Sequence, residues 1–398
     1  MSDFTVTIER IGARGDGVAH HEGRAIFLPF TAPGDVVRLR RTRGKIELVE
    51  FVSRGKRQKP PCPHFGQCGG CSLQHVPDDA YARAKQGFVR EALRHRGLDP
   101  ELVEPIQRIP SATRRRARLR MTGGAIGFHQ RTSHRIVDIK TCLVLHPALE
   151  AVVQALRPLH LDADVLLTLA DTGIDLLLDV KCAPDLAATE KLTAFAASHD
   201  LARLSLRTGK DAPTPLLQRR TVRVHFPGAT VDLPPDCFLQ ASKEAETIMR
   251  DLVLEGVADA RSVADLFCGV GTFSFALATR AKVHAADGDG DAIAALRRAD
   301  PNIAAETRDL ERRPLMADEL NRFDAVVFDP PYAGAAAQAR ELAKSRAPRI
   351  VAVSCNPASF ARDARTLIDG GYRLGRVVPV DQFLWSAEVE LVAVFARQ

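Results

Sequence analysis

Three residues near the carboxyl end of the chain carry the strongest chemistry. Cys355, in Ser354-Cys-Asn-Pro357, follows the apolar run Val351-Ala-Val. Asp329 opens Asp-Pro-Pro-Tyr332, and Glu390 opens the final apolar run. If a methyl donor were bound near them, a thiol and a carboxylate would suit one demanding reaction. Carbon 5 of uracil is a poor nucleophile. Addition of a thiolate to carbon 6 makes an enolate, and carbon 5 can then attack the methyl group. The 5-proton must afterwards leave so that the thiolate can depart, which requires a base. A free thiol, with a pKa of about 8.5, supplies some thiolate at neutral pH. An isolated strand-end cysteine is more often a packing residue, so the reading depends on its neighbours.

The elements that must position these residues begin near Pro234-Pro235, where short apolar runs start to alternate with helical segments. Strands are expected at 262–267, 282–287, 304–308, 324–328, 349–354, 372–380 and 390–396. The alternation implies a doubly wound, mostly parallel sheet. The glycine turn Cys268-Gly-Val-Gly-Thr-Phe273 follows the first strand, Asp287 ends the second and Asp309 follows the third. Asp287 suits ribose hydroxyls and Asp309 an adenine edge. The turn is not G-x-G-x-x-G, which argues against a nicotinamide enzyme. This pattern resembles the class I methyltransferases that use S-adenosylmethionine, with their Rossmann-like seven-stranded sheet.

Asp-Pro-Pro-Tyr also occurs in enzymes that methylate exocyclic amines, and those need no cysteine. The fuller string includes Ser354-Cys-Asn-Pro357, Pro379-Val-Asp-Gln-Phe383 and Glu388-Val-Glu390. It resembles the bacterial RNA (uracil-5-)-methyltransferases. The resemblance implies Cys355 as nucleophile and Glu390 as base. It also implies Gln240, Phe267, Thr272, Asp287, Asp309 and Asp329 as cofactor contacts. Glu388 stands where the family often has histidine, and strand alternation would put it on the same face as Glu390.

Cys62, Cys68 and Cys71 form a C-x5-C-x2-C group, and Cys142 offers a fourth thiol. Four thiolates suit zinc or an iron–sulfur cluster, and spacing does not choose between them. His64 is an alternative ligand that would crowd the loop. The ribosomal RNA branch of the resembled family carries a [4Fe-4S] cluster with this spacing, which implies that group over zinc. Radical methylthiotransferases use C-x3-C-x2-C, a shorter first gap. Cys182, Cys237 and Cys268 read as packing residues.

Residues 4–52 read as five short strands punctuated by Gly12, Gly15, Gly17 and Pro33-Gly34-Asp35. They resemble a TRAM domain, an OB-like RNA-binding barrel. Its basic face would come from Arg38, Arg40, Arg41, Arg43 and Lys45. A helix is expected over 78–96. Residues 1–60 hold twelve Lys/Arg against seven Asp/Glu, and residues 108–140 hold nine against one. Such patches suit a polyanion. In a strand, Arg114, Arg116, Arg118 and Arg120 would share one side and meet RNA phosphates.

The expected architecture is therefore α/β in three parts. Residues 1–54 form the barrel, 55–235 a central α+β iron–sulfur domain and 236–398 the methyltransferase domain. Barrel and cluster together favour large-subunit ribosomal RNA over transfer RNA. A non-catalytic RNA-binding iron–sulfur protein is the rival from another class. No apolar run reaches membrane-span length and the start lacks a secretion signal, so a cytoplasmic monomer is expected.

Overall fold

The computed structural model describes residues 2–42 and 45–397. The chain opens with six strands: β1 (Ser2–Thr7), β2 (Arg10–Ile11), β3 (Gly17–His21), β4 (Arg24–Leu28), β5 (Val36–Thr42) and β6 (Lys45–Ser53). Sheets β1-β5-β6 and β2-β3-β4 close over Val6, Ile8, Ala19, Ile26, Leu28, Val37 and Leu39. The sequence reading has five strands here. The extra one is β2, two residues long and too short for alternation to reveal. Arg43 lies outside the described residues.

Helix α1 (Asp78–Arg94) buries Tyr81, Lys85, Phe88, Val89 and Leu93, a helical stripe. The central sheet follows with β7 (Arg116–Thr122), β8 (Ala125–His129) and β9 (Ile136–Asp138). It continues through α2 (Pro147–Leu156), β10 (Ala163–Ala170), β11 (Gly173–Val180), α3 (Leu186–Ser198), β12 (Arg203–Thr208) and β13 (Thr214–Gln218). Its strand order is β13-β12-β11-β10-β7-β8-β9. Helices α2 and α3 share its apolar core, which includes Leu119, Leu149, Val165, Leu176 and Phe195.

A hairpin, β14 (Arg223–Phe226) and β15 (Ala229–Asp232), leads into the last unit. This unit comprises α4 (Lys243–Val257), β16 (Ser262–Leu266), α5 (Ser274–Ala278), β17 (Lys282–Asp287), α6 (Gly290–Ala299) and β18 (Ala304–Thr307). Then come α7 (Ala317–Leu320), β19 (Ala325–Phe328), α8 (Ala336–Lys344), β20 (Arg349–Ser354), α9 (Pro357–Asp369), β21 (Tyr372–Val380) and β22 (Glu390–Arg397). The sheet order is β18-β17-β16-β19-β20-β22-β21, parallel except for β22. The order reverses beside β16, so a crevice forms at the carboxyl ends of β16 and β19.

The expected boundary at 235 cuts through this packed unit. Val89, Leu93, Leu98 and Val103 belong to the core beneath α9, and Val103 and Gln107 bridge to Val377 and Val380. Val224, Phe226 and Val231 of the hairpin join the core on the other sheet face. Fully burying Val89 and Leu93 contributes about 1.5–3 kcal/mol each. An amphipathic stripe announces a helix but not the surface that covers it. Among the described residues no helix is long and apolar enough to cross a membrane.

Candidate active site

The turn after β16 sets the site. Phe267, Gly269 and Gly271 all have positive φ, at 61°, 55° and 98°. A Cβ on Gly271 would fall 2.5 Å from the Phe275 ring, so only glycine passes there. The turned backbone aims the Gly269 amide at Asp287 Oδ2, 2.8 Å away, while Asp289 N donates to Oδ1 at 2.8 Å. Asp309 accepts the amides of Glu311 and Arg312, each at 3.1 Å.

A cavity of about 630 Å³ opens at this edge. Its lining includes Gln240, Phe267, Thr272, Asp287, Asp309, Asp329, Cys355 and Glu390, so all eight residues picked from the sequence meet there. That volume suits a small-molecule site. Gln240 Nε2 donates to Asp329 Oδ2 at 3.0 Å. Gln382 Nε2 donates to Gln240 Oε1 at 2.9 Å and to Glu390 Oε2 at 3.0 Å. Two glutamines thus tie the Asp329 carboxylate to that of Glu390. Sequence reading assigned no role to Gln382, although it stands inside the quoted motif.

The electrostatics are those of a desolvated anionic pocket. Burial, with the Asp265 and Asp287 carboxylates nearby, pushes Asp329 up to about 7. Burial also pushes Asp265 up to about 7, and its Oδ2 accepts the Ser274 hydroxyl at 2.6 Å. Glu390 is raised well above the usual carboxylate range by burial and by Asp329. Burial, Glu390 and Asp329 push the Cys355 thiol up to about 12. A free thiol supplies some thiolate at neutral pH; here the Glu390, Asp329 and Glu388 carboxylates add to burial in opposing ionisation.

Glu388 departs from its expected placement. β22 begins at Glu390, so strand alternation does not reach Glu388, which is exposed and does not line the cavity. Cys237 and Cys268 are buried as expected, yet both line the cavity; Cys182 is exposed and packs no core.

Cys62, Cys68, Cys71 and Cys142 come together at the seam between the cysteine loop and the central sheet. Burial raises the Cys68, Cys71 and Cys142 thiols, and each is raised further by its fellow cysteines. The Gly70 amide lies 3.5 Å from Cys68 Sγ, and the Val144 and Leu145 amides favour a Cys142 thiolate. His64 is otherwise engaged: its Nε2 accepts the Lys140 amide at 2.9 Å, docking the Cys142 segment on the loop. A Cβ on Gly69 would meet the His129 carbonyl at 2.7 Å, so that glycine serves close packing on β8. Among the described residues, no three His, Cys, Asp or Glu side chains converge to hold a single metal ion. The four thiols share one enclosure, in which the Gly70, Val144 and Leu145 amides supply N–H donors.

The basic stripe is less available than its sequence suggests. Arg116 and Arg118 face Asp236 at 3.5 and 3.6 Å, Arg120 pairs with Asp162, and Arg115 is buried against Glu246. Arg114 points instead into the cavity, without a carboxylate among the described residues. On the barrel, Arg38, Arg40 and Arg41 pair with Glu50, Asp3 and Glu22 at 3.1, 2.8 and 3.2 Å. Sequence counts cannot see such cross-strand neutralisation.

The sheet order, the turn after β16 and the acids at successive strand ends define a class I methyltransferase. Comparison with known proteins narrows this. The TRAM-domain family of tRNA (uracil(54)-C(5))-methyltransferase matches residues 4–49, and the tRNA (Uracil-5-)-methyltransferase family matches residues 301–398. An uncharacterised RNA methyltransferase of Brucella suis is 44% identical, covering 98% of this chain and 97% of that protein. The 23S rRNA (uracil(1939)-C(5))-methyltransferase RlmD of Yersinia enterocolitica is 33% identical, covering 99% of this chain and 95% of the relative. The fold is shared with the Pyrococcus abyssi tRNA (uracil-54, C5)-methyltransferase, solved with S-adenosyl-L-homocysteine. That match has a TM-score of 0.75 and 24% identity over 98% of this chain and 99% of that one. The chain belongs to the S-adenosylmethionine-dependent RNA (uracil-5-)-methyltransferase family and carries its TRAM domain.

Proposed function

We propose that the protein methylates carbon 5 of a specific uridine in large-subunit ribosomal RNA, as a cytoplasmic monomer. Cys355 acts as nucleophile and Glu390 as base. The observation that carries the mechanism is the shared cavity: thiol, base and the Asp287–Asp329 edge line one space. The full-length similarity to a 23S ribosomal RNA enzyme supports the substrate class.

When bound, S-adenosylmethionine supplies an electrophilic methyl group and a sulfonium charge. Asp287 would hold its ribose and Asp309 its adenine edge, while Gln240, Phe267, Thr272 and Asp329 line the remainder of its site. A cationic donor suits a pocket that holds Asp329, Glu390 and the Cys355 thiol towards their protonated forms. With that charge present, Cys355 and Glu390 can each lose a proton to solvent before the RNA closes the cavity, and the Cys355 sulfur adds to uracil carbon 6. The electron pair of the 5,6 double bond moves onto carbon 5 and the O4 carbonyl. Carbon 5 takes the methyl group, leaving S-adenosylhomocysteine. Glu390, carried as carboxylate by that stage, removes the 5-proton. The C–H electrons restore the 5,6 bond and expel the Cys355 thiolate. Arg114, at the cavity wall, offers a cation to the flipped nucleotide.

Cys62, Cys68, Cys71 and Cys142 would hold a [4Fe-4S] cluster. That group would brace the cysteine loop against the central sheet. For the flanking RNA, a groove between barrel and cysteine loop combines Phe30, Phe51 and Phe65 with Arg54, Arg57 and Lys59. Such a surface suits unpaired bases and their phosphates.

The decisive experiment maps 5-methyluridine by mass spectrometry in ribosomal and transfer RNA from a deletion strain. Complementation by the wild type should restore one ribosomal site, and C355A should not. Activity retained by C355A would favour exocyclic-amine methylation through Asp-Pro-Pro-Tyr instead.

A further inference from the structure

The buried stripe of α1 contains one residue that does not belong in a core. Lys85 has no exposed surface, and neither has Asp381 beside it. A buried ammonium is costly unless all its protons find acceptors, whereas leucine or methionine would fill the same stripe without that cost. The three donors of Lys85 meet three acceptors. Its Nζ lies 3.0 Å from Asp381 Oδ1 and 3.0 Å from the Phe383 carbonyl, and it also donates to the Glu388 carbonyl. One turn earlier on α1, the Tyr81 hydroxyl lies 2.8 and 2.9 Å from the two Asp381 oxygens and accepts the Trp385 amide at 2.9 Å.

Every one of these bonds falls on the connection between β21 and β22. That connection carries Gln382, and it delivers Glu390 to the cavity at the first position of β22. The cysteine loop adds two more ties: the Ser72 and Leu73 amides donate to the Trp385 carbonyl at 2.9 and 3.0 Å. The connection is therefore held at Asp381, Phe383, Trp385 and Glu388 by groups outside it. Within it, Gln382 passes that placement to the Glu390 carboxylate through a 3.0 Å hydrogen bond.

We infer that Lys85, with Tyr81 and Asp381, is a positioning lock that sets Glu390 and Gln382 for removal of the 5-proton. The inference rests on the reading of Glu390 as the base. None of the three residues lines the cavity, so none is a catalytic residue. Because the lock reaches Glu390 directly through Gln382, and Asp329 only at one further remove through Gln240, its loss should slow proton removal most. Thiolate addition and methyl transfer proceed, and the methylated covalent adduct between Cys355 and carbon 6 then persists.

The test compares wild type, E390Q, K85M and Y81F on the full RNA substrate. Turnover and KM are measured, together with the denaturation-resistant protein–RNA adduct formed in single-turnover reactions with S-adenosylmethionine. The expected result for K85M and Y81F is a turnover about ten- to a hundredfold lower. KM for both substrates should stay within about threefold, and adduct should accumulate as in E390Q. Y81F keeps the ring packing and removes only the hydroxyl, so it carries the test if K85M does not fold. Turnover at the wild-type level in a folded lock variant, or slow turnover without adduct, overturns the lock. If E390Q accumulates adduct and the lock variants do not, the base assignment stands and the lock falls. If E390Q itself forms none, the base assignment falls and takes the lock with it.

Discussion

Two groups of cysteine in this molecule meet the same obstacle in different company. Burial raises Cys355 and Cys71 alike, each up to about 12. At Cys355 the neighbours that add to the shift are carboxylates, Glu390 and Asp329. At Cys71 they are Cys142, Cys68 and Cys62, and a hydrogen bond from the Gln74 side chain opposes the shift. Under the proposed function, the Cys355 thiolate forms and leaves in each cycle beside a transient cation, whereas the thiolates of the cysteine loop would persist beside a permanent cationic group. Residue type and burial are shared; the neighbouring groups differ.

The largest break in that comparison is chemical. C355A should lose at least about a thousandfold in methylation while keeping its fold, since the thiol proposed to add to carbon 6 is gone. Radiolabelled methyl transfer and circular dichroism measure both. C71S should do the opposite: after anaerobic purification it should lose bound iron and the visible absorption of the cluster, with a lower melting temperature. A C71S protein with unchanged metal content would remove the proposed cluster.

A third prediction sharpens the electrostatic half. Asp329 and Asp265 have folded pKa values near 7, raised above the ordinary carboxylate value. Groups raised in this way stabilise the fold fully below their unfolded pKa, and lose that contribution as pH rises through the folded value. The free protein should therefore melt at a higher temperature near pH 5.5 than near pH 7.5, in this window. Asp329 lines the cavity proposed for the donor, so the sulfonium should be favoured more as it ionises. Affinity for S-adenosylmethionine relative to S-adenosylhomocysteine should rise up to about tenfold per pH unit across the same range. Calorimetry showing a flat ratio from pH 6 to 8 would remove the cation argument.

The smallest effect belongs to the paired stripe. R118A should change RNA affinity less than about threefold, because its guanidinium is exposed and already faces Asp236. R54A in the aromatic groove should weaken RNA binding more and lower the salt slope by about one, since it has no carboxylate partner among the described residues. Filter binding across a salt series separates the two.

The sequence was informative where a local rule governs. Short continuous apolar runs marked the strands of the last unit within a residue or two, because a parallel strand buried on both faces is apolar throughout. Gly271 had to be glycine, because a Cβ there would strike the Phe275 ring. The eight cavity residues were legible because motifs at strand ends converge on one edge of a doubly wound sheet.

Tertiary structure alone decided what depends on distant partners. Only packing assigned α1 and the β14–β15 hairpin to the methyltransferase core, since an apolar face does not name its cover. Only three-dimensional pairing revealed that the arginines at 38, 40, 116 and 118 already face acids. And only the fold set Lys85 against Asp381, nearly three hundred residues along the chain. Local spacing fixes which side chains share a face, while their charge state and purpose are set by neighbours that no spacing records.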